Sequence, residues 1–349
     1  MAEELTVDWQ DARRPRPPDG WAAFAAGRGL PVLWSWELVR LAATGARPAV
    51  LAGTLRDGGG DGGTVRGLVT ARFPGPRAGG RGTIPLAGVV DVDCVLSASL
   101  PGVVLSDPEL YPAAVEAVRR AVLRAHGRRA RALMFRQVSA EQLPAVTRWP
   151  AVVREGGPIA VFRNTHADFE SYLRGLSKSR RWSLRQCLRE IDADPDVTVS
   201  FRARGDRPHE VGPREFCALV DRTMNKHHRG RLLPRRPARP EVAAAQLDHP
   251  ETRLAVYRGA GGRLLAVSML LGAGRLPIYN AWGALGPAEG GRKGLWFHDN
   301  MLKVRWCIEN GLDGFVSGQG TIPAKRSMGF ETHRQWAVLV PLVHASRRL

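Results

Sequence analysis

One order of predicted elements occurs twice along the chain, and this repeat constrains the fold more than any other feature of the sequence. Each copy has three strand-like runs, a long helix, a strand, a short helix and a last strand. In the first copy the strands are predicted at 49–54, 65–72, 84–95, 132–138 and 151–162, with a helix at 106–126. In the second they are predicted at 253–257, 264–271, 278–284, 314–317 and 335–342, with helices at 295–309 and 324–327. Because a helix leads into the fourth strand of each copy, the sequence predicts an α/β (α+β) protein with two mixed, twisted sheets flanked by helices.

The length of 349 residues is enough for two domains, each with its own core. The Arg/Pro-rich start of the chain does not favour a packed element, so residues 1–18 are predicted to be a flexible tail. Residues 19–165 form the predicted N-terminal domain and 196–349 the C-terminal domain. Residues 166–195 are predicted to connect them as a basic helix.

The apolar and cysteine patterns favour a cytoplasmic protein. Apolar residues make up 44% of the chain and charged residues 24%, which is typical of a globular protein. No apolar run approaches 18 residues, so no spanning helix is expected, and the first residues lack the apolar core of a signal peptide. The cysteines are Cys94, Cys187, Cys217 and Cys307. Their spacing matches no metal site, so we expect reduced thiols and no bound metal.

The net charge of +18 favours a polyanionic partner. Nearly all of the positive charge is arginine, and Arg-, Ala-, Gly- and Pro-rich usage also arises from GC-rich coding. Both explanations stay open.

The predicted helix from Asp168 to Ile191 carries a cationic face. Its basic residues follow one another at intervals of three or four: Arg174, Lys178, Arg181, Arg185 and Arg189. The sequence places no acidic residue between Arg174 and Arg189, and Trp182 adds a ring that could stack on a base. These residues are predicted to bind tRNA or another polyanion. A solvated charged face is the alternative.

A second basic patch surrounds the end of the predicted helix at 213–226. Its members include Arg222, Lys226, His227, His228, Arg229 and Arg231. Lys226 and Arg229 are predicted to extend the polyanion site. The alternative is that these cations stabilise the C-terminal end of a helix.

A glycine-rich turn at 289–295 lies between a predicted strand and a predicted helix, where backbone amides form an anion site. This arrangement resembles the GNAT superfamily, whose members hold the pyrophosphate of coenzyme A there with the pattern Arg/Gln-x-x-Gly-x-Gly/Ala. The resemblance assigns donor binding to Arg292, Lys293 and Gly294. With the pattern aligned on Gly294, its last position is Trp296, whose indole would obstruct a pyrophosphate. An ordinary strand-to-helix turn is the alternative.

The segment at 314–330 resembles the end of FemABX-like two-domain GNAT proteins. In that family a strand ends in a small-residue turn, followed by a lysine in a short helix and a Gly-aromatic pair. Here these are Lys325 and Gly329-Phe330, with Ala324 where the family has an aromatic residue. The resemblance implies that Lys325 stabilises charge on the substrate, and that Gly318, Gln319 and Arg326 contact the donor. A solvated surface lysine is the alternative.

Two acidic residues are candidates for the general base that deprotonates an acceptor. Asp93 closes the run Asp91-Val92-Asp93, and Asp299 follows His298 at the start of a predicted helix. Neither spacing is diagnostic.

The resemblance as a whole implies a tandem GNAT acyltransferase of FemABX-like type. It transfers an aminoacyl group from aminoacyl-tRNA, as co-substrate rather than bound cofactor, to an amine or hydroxyl of a cell-wall precursor or natural-product intermediate. The expected partners are tRNA and a small-molecule or peptide acceptor. The alternatives are an acyl-CoA-dependent N-acyltransferase and a non-catalytic nucleic-acid-binding protein.

Overall fold

The computed structural model describes residues 4–342, with gaps at 45, 47–48, 59–61, 74–87, 98, 204–210, 229–236 and 273. The strands are β1 (Leu5–Asp11), β2 (Ala49–Asp57), β3 (Val65–Phe73), β4 (Val89–Val92), β5 (Val103–Leu105), β6 (Ala132–Val138), β7 (Val152–Glu155), β8 (Ile159–Arg163), β9 (Thr198–Ala203), β10 (Thr252–Arg258), β11 (Leu264–Leu271), β12 (Ile278–Ala284), β13 (Gly314–Gly318), β14 (Glu331–His333) and β15 (Trp336–Pro341). The helices are α1 (Trp21–Gly27), α2 (Trp36–Ala43), α3 (Tyr111–His126), α4 (Leu143–Val146), α5 (Phe169–Gly175), α6 (Lys178–Asp192), α7 (Pro213–His228), α8 (Pro240–Asp248), α9 (Leu295–Glu309) and α10 (Ile322–Ser327).

The chain divides into two compact units, one holding the described residues up to Pro158 and from His333 onward, the other Ile159–Thr332. In the first unit the described strands form a sheet in the order β1-β2-β3-β4-β6-β15-β7, with β5 paired to β3. The pairing of β4 with β6 is parallel, and α3 lies between them in the chain. Buried residues of α3 at helical spacing, such as Val115, Val118 and Val122, pack into the core of this unit.

In the second unit the described strands form a sheet in the order β14-β8-β13-β12-β11-β10-β9. The pairing of β12 with β13 is parallel, with α9 between them in the chain. Met301, Val304 and Cys307 of α9 pack into the core. Each unit thus has a meander, a helical crossover and a parallel strand, as the sequence predicted.

The two units differ from the predicted halves in their last strands. The predicted strand at 151–162 is two strands, β7 in the first sheet and β8 in the second. Between them lie Gly156, Gly157 and Pro158, and a proline cannot donate to a sheet hydrogen bond. The strand predicted to close the second half is β15, which pairs with β6 and β7 of the first unit. Apolar alternation identifies a strand but not its partner, so the sequence could not show this exchange.

Residues 1–18, predicted to be a tail, contain β1, which pairs with β2 from Leu5↔Asp57 to Asp11↔Leu51. Leu5 is buried in the core, so burial of apolar side chains orders this segment despite the Arg/Pro-rich run that follows.

The predicted basic connecting helix is two helices of the second unit, α5 and α6. Ser177 interrupts it, because its hydroxyl accepts a hydrogen bond from the Arg180 amide (3.3 Å) and caps α6. Arg174 therefore belongs to α5 and not to the face of α6. Within the described ranges, no helix is long and apolar enough to cross a membrane.

Candidate active site in the second unit

The parallel strands β12 and β13 separate shortly after they meet. Their described register consists of the pair Ile278↔Val316, and the Val316 amide donates to the Pro277 carbonyl at 2.9 Å. In the first unit, by contrast, β4 and β6 stay paired from Val89↔Ala132 to Val92↔Phe135. The second sheet therefore opens beyond Ile278, whereas the first keeps its parallel pair closed over the length of β4.

A bulge follows the last pair on each of the two separating strands. On β12 the register against β11 shifts from Met269↔Ala281 to Leu270↔Tyr279, so Asn280 is the extra residue. On β13 the register against β8 shifts from Val316↔Val161 to Gly318↔Ala160, so Ser317 is the extra residue. A bulge bends its strand and turns side chains out of the regular pleat. The two bulges therefore account for the opening.

The opening leaves a central strand partly accessible. Residues 279–282 of β12 are half-buried, although β12 lies in the middle of its sheet, while every residue of the neighbouring β11 is buried. A partly exposed inner strand beside two bulges is a cleft in which polar backbone groups can meet a ligand. We call the space between β12 and β13 the strand cleft.

Lys325 of α10 is bound to the bulged end of β13. Its ammonium donates to the carbonyl of Ser317 at 2.5 Å and to that of Gly318 at 3.2 Å. Only 4% of Lys325 is exposed, and burial lowers the pKa of its ammonium to about 8. An ammonium has three N–H donors, so one remains for a ligand. The Ser317 hydroxyl is also buried, and it has no hydrogen-bond partner among the described residues.

Asp299 lies in a buried network rather than at an accessible surface. One of its oxygens, Oδ1, accepts from Ser268 Oγ (2.6 Å) and Lys303 Nζ (2.5 Å), and Oδ2 accepts from the Tyr279 hydroxyl (2.5 Å). Asp299 and Lys303 are both fully buried, and burial lowers the pKa of Lys303. A shielded carboxylate with these donors does not suit the predicted role of general base. Instead it ties α9 to β11 and to Tyr279, the residue before the bulge.

Asp93 lies in the first unit, just after β4. Its Oδ2 forms an ion pair with Arg72 at 2.8 Å, whereas its Oδ1 is buried without a hydrogen-bond partner among the described residues. Burial raises the pKa of Asp93 to about 6, and the neighbouring Asp91 acts in the same direction, against the effect of Arg72. A carboxyl group with this pKa exchanges protons near neutral pH.

The glycine turn before α9 is closely packed on the side of α6. Gly294 has φ +82°, and a Cβ there would lie 2.7 Å from Cys187 Sγ. The guanidinium of Arg292 pairs with Asp194 (2.9 Å) and Asp196 (3.7 Å), while Lys293 is exposed. The charge of Arg292 is therefore already matched within the protein.

Trp296, which follows the glycine turn in the first turn of α9, packs against the apolar core of the second unit. It is part of the packing of α9 rather than a free cap on the turn.

The residues predicted to bind polyanions differ in their exposure and in whether their charges are already engaged within the protein. Arg174 and Lys178 are exposed, and Trp182 is 66% exposed. Arg181 donates to the Arg174 carbonyl at 3.0 Å, and Arg185 pairs with Glu170, an acidic partner just outside the interval considered in the sequence.

The other predicted polyanion residues lie on or near α6 and α7. Arg189 is exposed and donates to Gln186 at 2.7 Å, and Lys226 lies 3.9 Å from Glu289. Arg229 lies outside the described residues.

The remaining residues predicted to contact the donor lie at and after the end of β13. Gly318 ends β13, Gln319 follows it, and Arg326 is exposed on α10.

Asn280 and Ser317 were not identified from the sequence. Asparagine is depleted in strands, so its place within the predicted strand at 278–284 was an available signal. Nothing distinguishes Ser317 in the sequence, because its bulge depends on pairing with β8, a strand more than about 150 positions earlier in the chain that was predicted in the other half.

Neither a protein-family profile nor a curated protein sequence matches the chain. Solved structures do. The C-terminal domain of a protein described as a lysylphosphatidylglycerol synthetase from Agrobacterium fabrum is 14% identical, with a TM-score of 0.54 over 89% of this chain and 87% of that one. A structure of FemX is 12% identical, with a TM-score of 0.53 over 81% and 87%. A tandem GNAT protein from the clavulanic acid biosynthesis pathway is 12% identical, with a TM-score of 0.50 over 98% and 100%. The chain therefore has the tandem GNAT fold that its sequence predicted.

Proposed function

We propose that the protein is an acyltransferase whose strand cleft holds the reacting acyl group, and that its donor is an aminoacyl-tRNA. The observation that carries this proposal is the buried ammonium of Lys325 at the bulged end of β13, beside the opening between β12 and β13. A cation with a spare N–H next to unpaired strand edges is suited to a carbonyl oxygen that becomes negatively charged during the reaction.

The proposed chemistry is direct transfer. The acceptor amine or hydroxyl attacks the carbonyl carbon of the aminoacyl ester, which forms a new C–N or C–O bond and an oxyanion. The ester C–O bond then breaks, and the terminal ribose leaves as a hydroxyl. Lys325 stabilises the oxyanion, and the protein's main contribution is to hold donor and acceptor together.

The proton released by the acceptor passes to solvent. The predicted base Asp93 belongs to the first unit, so we assign it no role in the strand cleft of the second unit. Asp299 is fully buried and accepts three hydrogen bonds, so its proposed role is to position Tyr279 and the bulge.

Three observations favour a tRNA donor over coenzyme A. Cys187 packs against one side of the glycine turn, and Asp194 engages Arg292. The net charge is +18, and α6 presents Lys178 and the exposed Trp182. The FemX and lysylphosphatidylglycerol synthetase neighbours share the fold with this chain, which supports the aminoacyl-transfer alternative without extending to a particular acceptor.

The test is to incubate the protein with charged tRNAs or with acyl-CoAs, in each case with a panel of amine and hydroxyl acceptors, and to detect products by mass spectrometry. We expect product from a charged tRNA, and its loss in Lys325→Met. Arg202→Gln, at an exposed position of the edge strand β9, is the matched control and should keep the parental rate. Product from acyl-CoA and none from charged tRNA would contradict the tRNA donor and favour an acyl-CoA-dependent enzyme. Nucleic-acid binding with no product from either donor would favour the non-catalytic alternative.

A further inference from the structure

A cleft of about 490 Å³ lies on the surface of the second unit, between the start of α6 and α10. Its lining includes the arginines Arg180 and Arg326 and the serines Ser177, Ser179, Ser183 and Ser327. The volume lies within the range of pockets that hold small-molecule ligands and cofactors. Arg180 was not predicted from the sequence.

The two arginines of the cleft are not paired with an acidic residue of the described chain. Arg180 lies over the ring of Phe297, 5.3 Å from its centroid, and Arg326 Nε donates to the hydroxyl of Thr332 at 3.1 Å. Neither forms an ion pair with any residue that the structure describes, in contrast to Arg185 and Arg292 of the same unit. Guanidinium groups are suited to bidentate contacts with phosphate oxygens.

The remaining lining supports an anion as the ligand. No acidic residue contributes to it, and four hydroxyl groups line the cleft together with Arg180 and Arg326. The Ser177 hydroxyl accepts from the Arg180 amide, which leaves its own proton free to bond a ligand. Backbone amides of the first turn of α6, a helix of 15 residues, add to the positive potential.

An exposed aromatic ring lies on α6 close to the residues that line the cleft. Trp182 does not line the cleft itself, but it follows the lining residue Ser179 by three positions on α6, a spacing that makes the two side chains neighbours on the helix surface. With 66% of its surface exposed, it is one of few large apolar side chains in the described chain that are not covered. A phosphate site with an exposed indole at its side matches a nucleotide, because bases stack on such rings.

We propose that this cleft binds a nucleotide through its phosphate, with Arg180 and Arg326 on the phosphate oxygens and Trp182 against the base. That the bound nucleotide is part of the acyl donor rests on the proposed function; that the cleft binds a nucleotide does not. Arg326 follows Lys325 on α10, so one short helix carries both a phosphate contact and the ammonium of the strand cleft. The nucleotide has two sources, the 3′ end of a tRNA or the adenosine phosphate part of coenzyme A.

The test measures binding by isothermal titration calorimetry and needs no acyl transfer. The probes are adenosine monophosphate, coenzyme A and a short RNA hairpin with a single-stranded CCA 3′ end, and inorganic phosphate serves as a competitor. Arg180→Gln and Arg326→Gln should each weaken nucleotide binding about ten- to a hundredfold, the effect of losing a hydrogen bond to a charged group. Arg202→Gln should bind as the parent does.

Two further variants separate the parts of the cleft. Trp182→Ala should weaken the binding of adenosine monophosphate but leave the inhibition constant of inorganic phosphate unchanged. Ser183→Leu should block all the probes by bulk while both arginines stay in place. Because Ser183 and Trp182 are exposed, these changes are compatible with folding, which thermal unfolding of each variant checks.

The results have distinct meanings. Tighter binding of the hairpin than of coenzyme A would identify tRNA as the source, and the reverse order would identify coenzyme A; both support the cleft. Parental binding by folded Arg180→Gln and Arg326→Gln would overturn it, as would the failure of every probe to bind. If the nucleotides bind as expected but no donor yields product, the cleft stands and the proposed function fails.

Discussion

Replacing Lys325 with methionine separates the cost of burying its ammonium from its proposed role in catalysis. The pKa of Lys325 is lowered from its usual 10.5 to about 8, because the folded protein removes the ammonium from water. Between these two values the unfolded chain binds more protons than the folded protein does. The free energy of unfolding therefore rises with pH over this interval, and the cost of burial is fully present below pH 8.

The size of the effect follows from the two pKa values. Burying the charged form costs about 3 kcal/mol at pH 7 and under about 1 kcal/mol at pH 10, so the parent gains about 2.5 kcal/mol across this range. Methionine has no proton to lose, so Lys325→Met lacks this gain. It also leaves the carbonyls of Ser317 and Gly318 without this donor, a cost that does not depend on pH.

The assay is urea unfolding of parent and variant from pH 7 to pH 10, in which their difference isolates Lys325 from other groups that titrate. Lys293→Met, at an exposed lysine of the same unit, should give a curve parallel to that of the parent. Parallel curves for the parent and Lys325→Met would refute the argument that this ammonium is desolvated. Transfer activity should fall about a hundred- to a thousandfold in Lys325→Met, the usual effect of removing a donor to an oxyanion.

Three further predictions concern residues packed within the two units. Asp299→Ala should lower the free energy of unfolding by about 3–5 kcal/mol, because it leaves the buried ammonium of Lys303 without its carboxylate. The double variant Asp299→Leu with Lys303→Met should lose less free energy of unfolding than the two single variants lose when their losses are added. Both effects are measured by urea unfolding, and a loss of activity with unchanged stability would contradict them. Gly294→Ala should lower the free energy of unfolding by about 1–3 kcal/mol through its positive φ alone, and the new Cβ also meets Cys187 Sγ. Adding Cys187→Gly to Gly294→Ala should remove only the part of the loss that comes from this contact. Burial raises the pKa of Asp93 to about 6, so the folded protein binds more protons than the unfolded chain between about pH 4 and pH 6, and the free energy of unfolding should fall as the pH rises through this interval. Asp93→Asn should lack this fall in urea unfolding, and an equal pH dependence of parent and variant would contradict the prediction.

Local patterns in the sequence were sufficient for most of the elements. The predicted strands at 264–271 and 278–284 and the helix at 295–309 coincide with β11, β12 and α9, because apolar spacing and flanking glycines determine them over short distances. The exchange of β8 and β15 between the two sheets was missed for the opposite reason. Its cause is pairing between residues far apart in the chain, which no local pattern encodes.

The residues of the candidate site differ in how much of their surroundings the sequence shows. Lys325 was predicted from a motif that is local in the chain. The surroundings of Asp299 could not be predicted, because its three donors, from β11, β12 and α9, meet it only in the folded protein. The break between α5 and α6 was missed although Ser177 is a good helix cap, since the basic residues on both sides of it continue one helical spacing.

The two units share a topology but differ at their parallel strand pair. In the first unit β4 and β6 remain hydrogen-bonded, and both acidic residues at the end of β4 are matched by arginines, Asp91 by Arg136 and Asp93 by Arg72. In the second unit the equivalent pair opens, and the ammonium of Lys325, which forms no ion pair with a described residue, lies at the opening. Opening a sheet costs hydrogen bonds, and burying a lysine without a carboxylate costs free energy as well. Both costs fall at the same end of one strand, β13, where the protein gains from them only if a ligand completes the missing contacts. That coincidence, more than any single residue, supports the second unit as the place of the proposed transfer.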